Sequence, residues 1–186
     1  MCGLSGIINI NNKPIKNLEI KIDIMTSLLN HRGPDYSGKY YNKNKSFGFS
    51  NNRLSIVAPK ENVNLPFSRD NNSFLSFNGE IYNYLKLKKK FKNRGIRFQS
   101  NTDTEVMWNH LKFFLKKEKF SKINGMWAYA FYDKKKHKLS LGRDILGERH
   151  IFYYLENDNL YFSSEVEPIL HVSEKKHKFN YKNMIE

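Results

Sequence analysis

The chain has 186 residues, with 32 Lys and Arg against 18 Asp and Glu, and a formal net charge of +14. A hydrophobic share of 39% and an aromatic share of 15% indicate one packed domain and exclude a disordered chain, while no apolar run approaches the ~20 residues that a membrane-spanning helix needs. The Lys-rich runs at residues 86–97, 112–122, 134–138 and 175–178 fall on predicted helix exteriors, in a turn and near the end of the chain. No nucleic-acid-binding motif accompanies them, so a solvated surface accounts for the charge and a nucleic-acid partner is not expected.

The start lacks the basic and apolar regions of a signal peptide, and the lone cysteine, Cys2, forms no internal disulfide, which suits a reducing, cytoplasmic setting. Residues 4–10 read as a buried strand broken by Asn11-Asn12-Lys13-Pro14. Over 16–30, Leu18, Ile22, Met25 and Leu29 recur at helical spacing. His31-Arg32-Gly33-Pro34-Asp35 closes that helix as a loop. Two β segments, 45–50 and 54–58, precede a polar excursion over 59–72 and a strand at 74–77. A helix is predicted from Glu80 or Ile81 to Asn93, with Gly95 beyond its end. Thr102 and Glu105 stand at capping-box spacing and open a further helix to about residue 117. Four β segments follow, at 127–132, 138–143, 151–154 and 160–163, each pair joined by a polar turn that favours antiparallel pairing. The expectation is a single α+β domain over residues 1–186. The six His are scattered with no metal-ligating spacing, so no metal centre is expected.

Removal of Met1 makes Cys2 the N-terminal residue, so one residue carries a thiol and a free α-amino group. Such an amine titrates near pH ~8 and can deprotonate the thiol. A Cys–His dyad with His31 is the weaker reading, because the amine already supplies a base and a loop His is usually structural or solvated.

The ordered set of Met1-Cys2-Gly3, His31 to Asp35, Arg53-Leu54-Ser55-Ile56-Val57, Phe77-Asn78-Gly79-Glu80-Ile81-Tyr82-Asn83, Asp103-Thr104-Glu105-Val106, Asn124 to Ala128 and Gly142-Arg143-Asp144 spans the chain. It resembles the glutamine-hydrolysing domain of class II amidotransferases, in the asparagine synthetase branch. The resemblance implies a four-layer αββα N-terminal-nucleophile hydrolase sandwich of two antiparallel sheets between helical layers. It implies that Cys2 attacks the amide of L-glutamine and that the Asn78 side chain and the Gly79 N–H hold the oxyanion. Arg53 is expected to bind the substrate carboxylate and Glu80 and Asp103 its ammonium, with backbone groups of Leu54, Ile56 and Val57 completing the pocket. Taken singly, Arg53 reads as a surface strand residue, Glu80 as a first-turn helix acid, Asp103 as part of a cap and Asn78-Gly79 as a tight turn.

Two departures from the family pattern stand out. His150 occupies the place of an expected Pro after Gly147. No Ser-Gly-Gly-x-Asp-Ser loop or Walker motif follows, so no cofactor is expected on these residues and ATP and Mg are expected only on an absent ATP-pyrophosphatase (synthetase) domain, in cis or in trans. Residues 147–153 and 166–185 are the expected docking surface for it. The rival readings are a catalytically silent module of the same fold and a basic nucleic-acid-binding protein.

Overall fold

A computed structural model describes residues 1–55, 65–114 and 120–175. Period-two alternation of side chains decides the layering. Strand β1 (Gly3–Asn9) turns Leu4 and Ile8 to one side and Ile7 to the other. It lies at the centre of a five-stranded antiparallel sheet with β2 (Tyr36–Tyr41), β3 (Phe47–Arg53), β7 (Phe152–Glu156) and β8 (Asn159–Ser163), in the order β2-β3-β1-β8-β7. A second sheet, of β4 (Ser73–Ile81), β5 (Gly125–Asp133) and β6 (Lys138–Arg143), has the order β4-β5-β6 and is also antiparallel.

The sheets face each other across Leu4, Ile8, Phe47, Phe49, Phe74, Ala128, Ala130, Tyr132 and Phe162. Rings from opposite sheets stack there, Phe47 on Tyr132 at 3.9 Å and Tyr40 on Phe74 at 3.7 Å between centroids. Each such pair adds ~0.5–1.5 kcal/mol beyond area burial. On the outer face of the larger sheet, Ile7 and Tyr161 meet Leu18, Ile22 and Met25 of α1 (Leu18–Leu28) and Ile169 and Val172 of α4 (Glu167–Val172). On the outer face of the smaller sheet, Leu75, Phe77, Ile81, Trp127 and Tyr129 meet Leu87 and Phe91 of α2 (Tyr84–Lys92) and Val106 and Met107 of α3 (Asp103–Asn109). The described residues thus form the expected αββα layers.

Several local expectations fail for physical reasons. Residues 36–41 form the edge strand β2, hidden from a hydrophobicity reading because Tyr-Ser-Gly-Lys-Tyr-Tyr is largely exposed or half-buried. Leu54 and Ser55 lie outside any strand, and the remainder of the predicted 54–58 segment lies outside the described residues. Asn78, Gly79 and Glu80 do not initiate a helix: β4 runs through them to Ile81, and α2 begins three residues later. Glycine makes that continuation possible, since a Cβ at Gly79 would sit 2.2 Å from the Met126 carbonyl oxygen. The capping box is half made. Thr102 Oγ1 accepts the Glu105 N–H, but the fully buried Glu105 carboxylate instead accepts from the Gln99 and Ser100 N–H groups and pairs with Arg69. A short α4 was not expected; its six residues are too few for a periodic signal.

Candidate active site

Cys2 precedes β1 at the end where Arg53 closes β3, and β4 crosses both strands from the opposite sheet. A pocket opens there, lined by Met1, Cys2, Arg53, Leu54, Asn78 and Gly79 together with Glu80, Asp103, Met126 and Arg149. Every described residue of the sequence-derived site is therefore brought together. Ile56 and Val57 lie outside the described residues.

The Cys2 sulfur is bracketed by one residue: Leu54 N–H donates to it at 3.4 Å, and the thiol points to the Leu54 carbonyl at 3.7 Å. Burial pushes the Cys2 thiol above its ordinary value; the Leu54 N–H and the charge of Arg53 pull it down, while Asp103 pushes it further up. A thiol held in its protonated form needs a base. His31 is not placed as one: its Nε2 lies 3.0 Å from Glu165 Oε1 and its side chain is largely exposed. The His31 loop acts on the cysteine through its neighbour. Arg32 Nε donates to the Cys2 carbonyl at 3.2 Å, while its Nη1 is anchored on Glu165 at 2.7 Å. Asp35 accepts the Ser55 N–H at 2.7 Å and so holds the segment following Arg53.

In the same pocket, Asn78 is 1% exposed, yet neither its Nδ2 nor its Oδ1 has a partner among the described residues. Leaving such groups unpaired costs ~1–3 kcal/mol, which a fold retains where a ligand completes the bonds. The Gly79 N–H is positioned by the edge of β4. Trp127, opposite Gly79, spends its N–H on Asp144 Oδ2 and its carbonyl on the Asp144 N–H, both on the β6 side. Gly79 and Trp127 are thus a non-hydrogen-bonded pair, and the Gly79 N–H points off the free edge. Along that edge the Leu75 N–H goes to the Phe67 carbonyl, that of Phe77 to Asn51 Oδ1 and that of Ile81 to Asp103 Oδ2. Gly79 N–H, between the last two, faces the pocket.

The pocket lining carries both signs of charge, Arg53 and Arg149 with Glu80 and Asp103. Asp103 opens α3 and is 4% exposed; burial raises it to about 6, reinforced by the nearby Glu80 charge and opposed by the Ile81 and Thr104 N–H groups. The native pocket therefore holds this proton more tightly than the unfolded chain, whose value is near 3.8. Stability from Asp103 is present below that value and is lost as pH rises through about 6. The charged carboxylate is kept at a cost to the fold.

Sequence reading missed three contributors. Glu165 follows β8 in a turn with no motif around it. Arg149, whose Nη2 meets Met126 Sδ and whose buried Nε has no partner among the described residues, follows the irregular segment at Gly147. Asn51 sits in a β3 that extends past the predicted end at residue 50, and continuing the inward row Phe47, Phe49 by one more step would have found it. Among the described residues no His, Cys, Asp and Glu group could hold a metal, and no helix is long and apolar enough to cross a membrane.

Comparison with known proteins agrees with this geometry. A family model described as glutamine amidotransferase domain matches residues 1–186. A putative asparagine synthetase [glutamine-hydrolyzing] of Methanocaldococcus jannaschii is 38% identical over 97% of the chain and 37% of its own length. The Bacillus subtilis asparagine synthetase [glutamine-hydrolyzing] 1 is 36% identical over 89% of the chain and 26% of its own length. The chain thus spans 26–37% of the length of these relatives. Among solved structures, glutamine phosphoribosylpyrophosphate amidotransferase from B. subtilis aligns with a TM-score of 0.71 at 19% identity, over 90% of this chain and 43% of that one, and supports the fold. The chain belongs to the glutamine amidotransferase domain family, and resembles the form of it carried by glutamine-hydrolysing asparagine synthetases.

Proposed function

We propose that the chain hydrolyses L-glutamine to glutamate and ammonia through a thioester on Cys2, and that the ammonia feeds an ATP-dependent, asparagine-synthetase-like amidation. The observation that carries this reading is the pairing of the Cys2 thiol with the unpartnered amide of buried Asn78 inside a pocket lined by both signs of charge. Such a pocket complements a zwitterionic amino acid whose side-chain carbonyl becomes an oxyanion.

With Met1 removed, the α-amino group takes the thiol proton as Cys2 Sγ attacks the glutamine side-chain carbonyl carbon. The Asn78 Nδ2 and the Gly79 N–H receive the oxygen as it becomes negative. Collapse breaks the carbon–nitrogen bond, the proton passes to the departing nitrogen and ammonia leaves. Water then adds to the thioester, its proton passing through the amine to Cys2 Sγ as glutamate departs. Arg32 fixes the Cys2 carbonyl and so orients both thiol and amine. Met1 lines the pocket, so its removal both frees the amine and clears the site.

Arg53 takes the substrate carboxylate and Glu80 with Asp103 takes the ammonium; Leu54 completes the pocket beside the sulfur. ATP and Mg belong to an acceptor domain outside residues 1–186. Largely exposed Ile145, Leu146 and Tyr153 offer that partner an apolar surface. A reducing compartment such as the cytoplasm suits the free thiol.

The test is release of glutamate and ammonia in equal amounts from L-glutamine, with no release from glutaramate, which lacks the α-ammonium. Arg53→Ala is expected to lower kcat/KM by about 30-fold, a loss of ~2 kcal/mol, mostly through KM. Glutamine binding without glutamate release by the Met1-free chain would instead mark a silent module.

The pH profile provides a second check on the same site. As pH falls through about 6, Asp103 gains a proton and loses its charge for the ammonium, so the glutamine KM is expected to climb. Asp103→Asn is expected to raise KM at least ~10-fold at pH 8 and to remove that acid limb. An unchanged acid limb in Asp103→Asn would assign it to another group.

A further inference from the structure

Asn51 is fully buried, and both ends of its amide are engaged on opposite sides of the gap between the sheets. Its Nδ2 donates to the carbonyl of Gly3 at 3.0 Å and to that of Asn52 at 3.2 Å. Its Oδ1 accepts from the N–H of Phe77 at 2.8 Å and from Ser76 Oγ at 3.0 Å, the hydroxyl also lying 3.0 Å from the Ser50 carbonyl. Gly3 follows the nucleophile directly, and Phe77 directly precedes Asn78. A single side chain therefore ties the backbone of the thiol-bearing segment to the backbone that aims the Asn78 amide and the Gly79 N–H.

The placement follows from strand periodicity. On β3 the side chains facing the opposite sheet are Phe47, Phe49 and Asn51. The aromatic pair fills the centre of the gap, and at the end where the pocket opens the row switches to an amide. An apolar residue there would leave the Phe77 N–H unpaired in a dry setting and remove the side-chain tie to the Gly3 carbonyl. The aromatic core holds the sheets together without fixing their relative placement to a fraction of an ångström, whereas the two hydrogen bonds from β4 to Asn51 Oδ1 cross the gap, and the Nδ2 of the same planar group ties them to Gly3 on β1.

We propose that Asn51 is a positioning residue that sets the distance between the Cys2 nucleophile and the oxyanion donors of β4. This inference rests on the glutaminase reading above and assigns Asn51 no contact with substrate. Glutamine is held by the charged groups of the pocket, so loss of the tie acts on transition-state stabilisation, read in kcat, and leaves KM and the intrinsic nucleophilicity of the thiol largely in place.

The test compares the Met1-free parent with Asn51→Asp and Ser76→Ala. Asn51→Asp keeps the acceptor for Phe77 and Ser76 but, when ionised, loses the donor to Gly3. At pH 8 its kcat is expected to fall about 30-fold, with KM and the rate of Cys2 alkylation by iodoacetamide each within about three-fold of the parent. Alkylation proceeds by displacement and needs no oxyanion donor. Toward pH 6 the buried carboxyl takes up a proton and can donate to Gly3 again, so the ratio of variant to parent kcat is expected to rise. Ser76→Ala removes one bond to the same oxygen and is expected to show the same pattern at about three- to ten-fold, which keeps the test open if Asn51→Asp does not fold. A parent-like kcat in the folded variants, or kcat, KM and alkylation falling together, would overturn the proposal while leaving the glutaminase reading intact. A parent that releases no glutamate would overturn both.

Discussion

Cys2→Ala is expected to release no glutamate above background while keeping a cooperative melt close to that of the parent. On the proposed mechanism the loss is total, because one residue supplies both the bond-forming atom and, once Met1 is gone, the base. No other thiol exists in the chain, and His31, in the loop after α1, is committed to Glu165. The fold loses little because Cys2 precedes β1 and its sulfur contributes only the two weak contacts with Leu54. A glutamine-like electrophile is expected to add mass to the parent at Cys2 and to leave Cys2→Ala unmodified; glutamate release by that variant would remove the thioester from the mechanism.

Asn78→Ala is expected to lower kcat by about 10²–10³-fold with little change in KM, the cost of one oxyanion donor in a preorganised site. The asymmetry follows from what Asn78 does in the resting protein, where its amide has no partner among the described residues. On the proposed mechanism its bonds form only as charge develops on the substrate oxygen, so the ground state loses nothing when it is removed. Deleting a buried unpaired amide also relieves a penalty, so the variant is expected to melt at or above the parent temperature. Steady-state kinetics and calorimetry on one preparation separate this outcome from a folding defect, in which rate and melting temperature fall together.

The chemistry was legible where it is local. Cys2 at the chain start, Asn78-Gly79 directly after a predicted strand, Arg53 at a strand end and Asp103 under a Thr102 cap are adjacent to recognisable patterns, and the structure gathers them in one pocket. The supporting shell was not legible, because its partners are far apart in sequence. Arg32 and Glu165 are 133 residues apart and meet only because β8 pairs with β1. Asn51 links segments 48 and 26 residues away, and its own strand was expected to end one residue earlier. The layered fold was legible from hydrophobic alternation in the central strands. The exposed edge strand β2 and the passage of β4 through Gly79 were not, since an edge carries weak alternation and Asn-Gly ordinarily signals a turn.

The base is the point on which the mechanism turns. Asp103, raised to about 6 in the same pocket, is the rival proton acceptor, and it is available whether or not Met1 is present. The most direct measurement is the glutamate-release rate of the chain bearing Met1 beside that of the same chain processed to begin at Cys2, with both N-termini verified by intact mass. An amine-dependent mechanism predicts that processing raises kcat by at least ~10²-fold, consistent with the usual contribution of a positioned base. Equal rates from the Met1-bearing and the processed chain would contradict it.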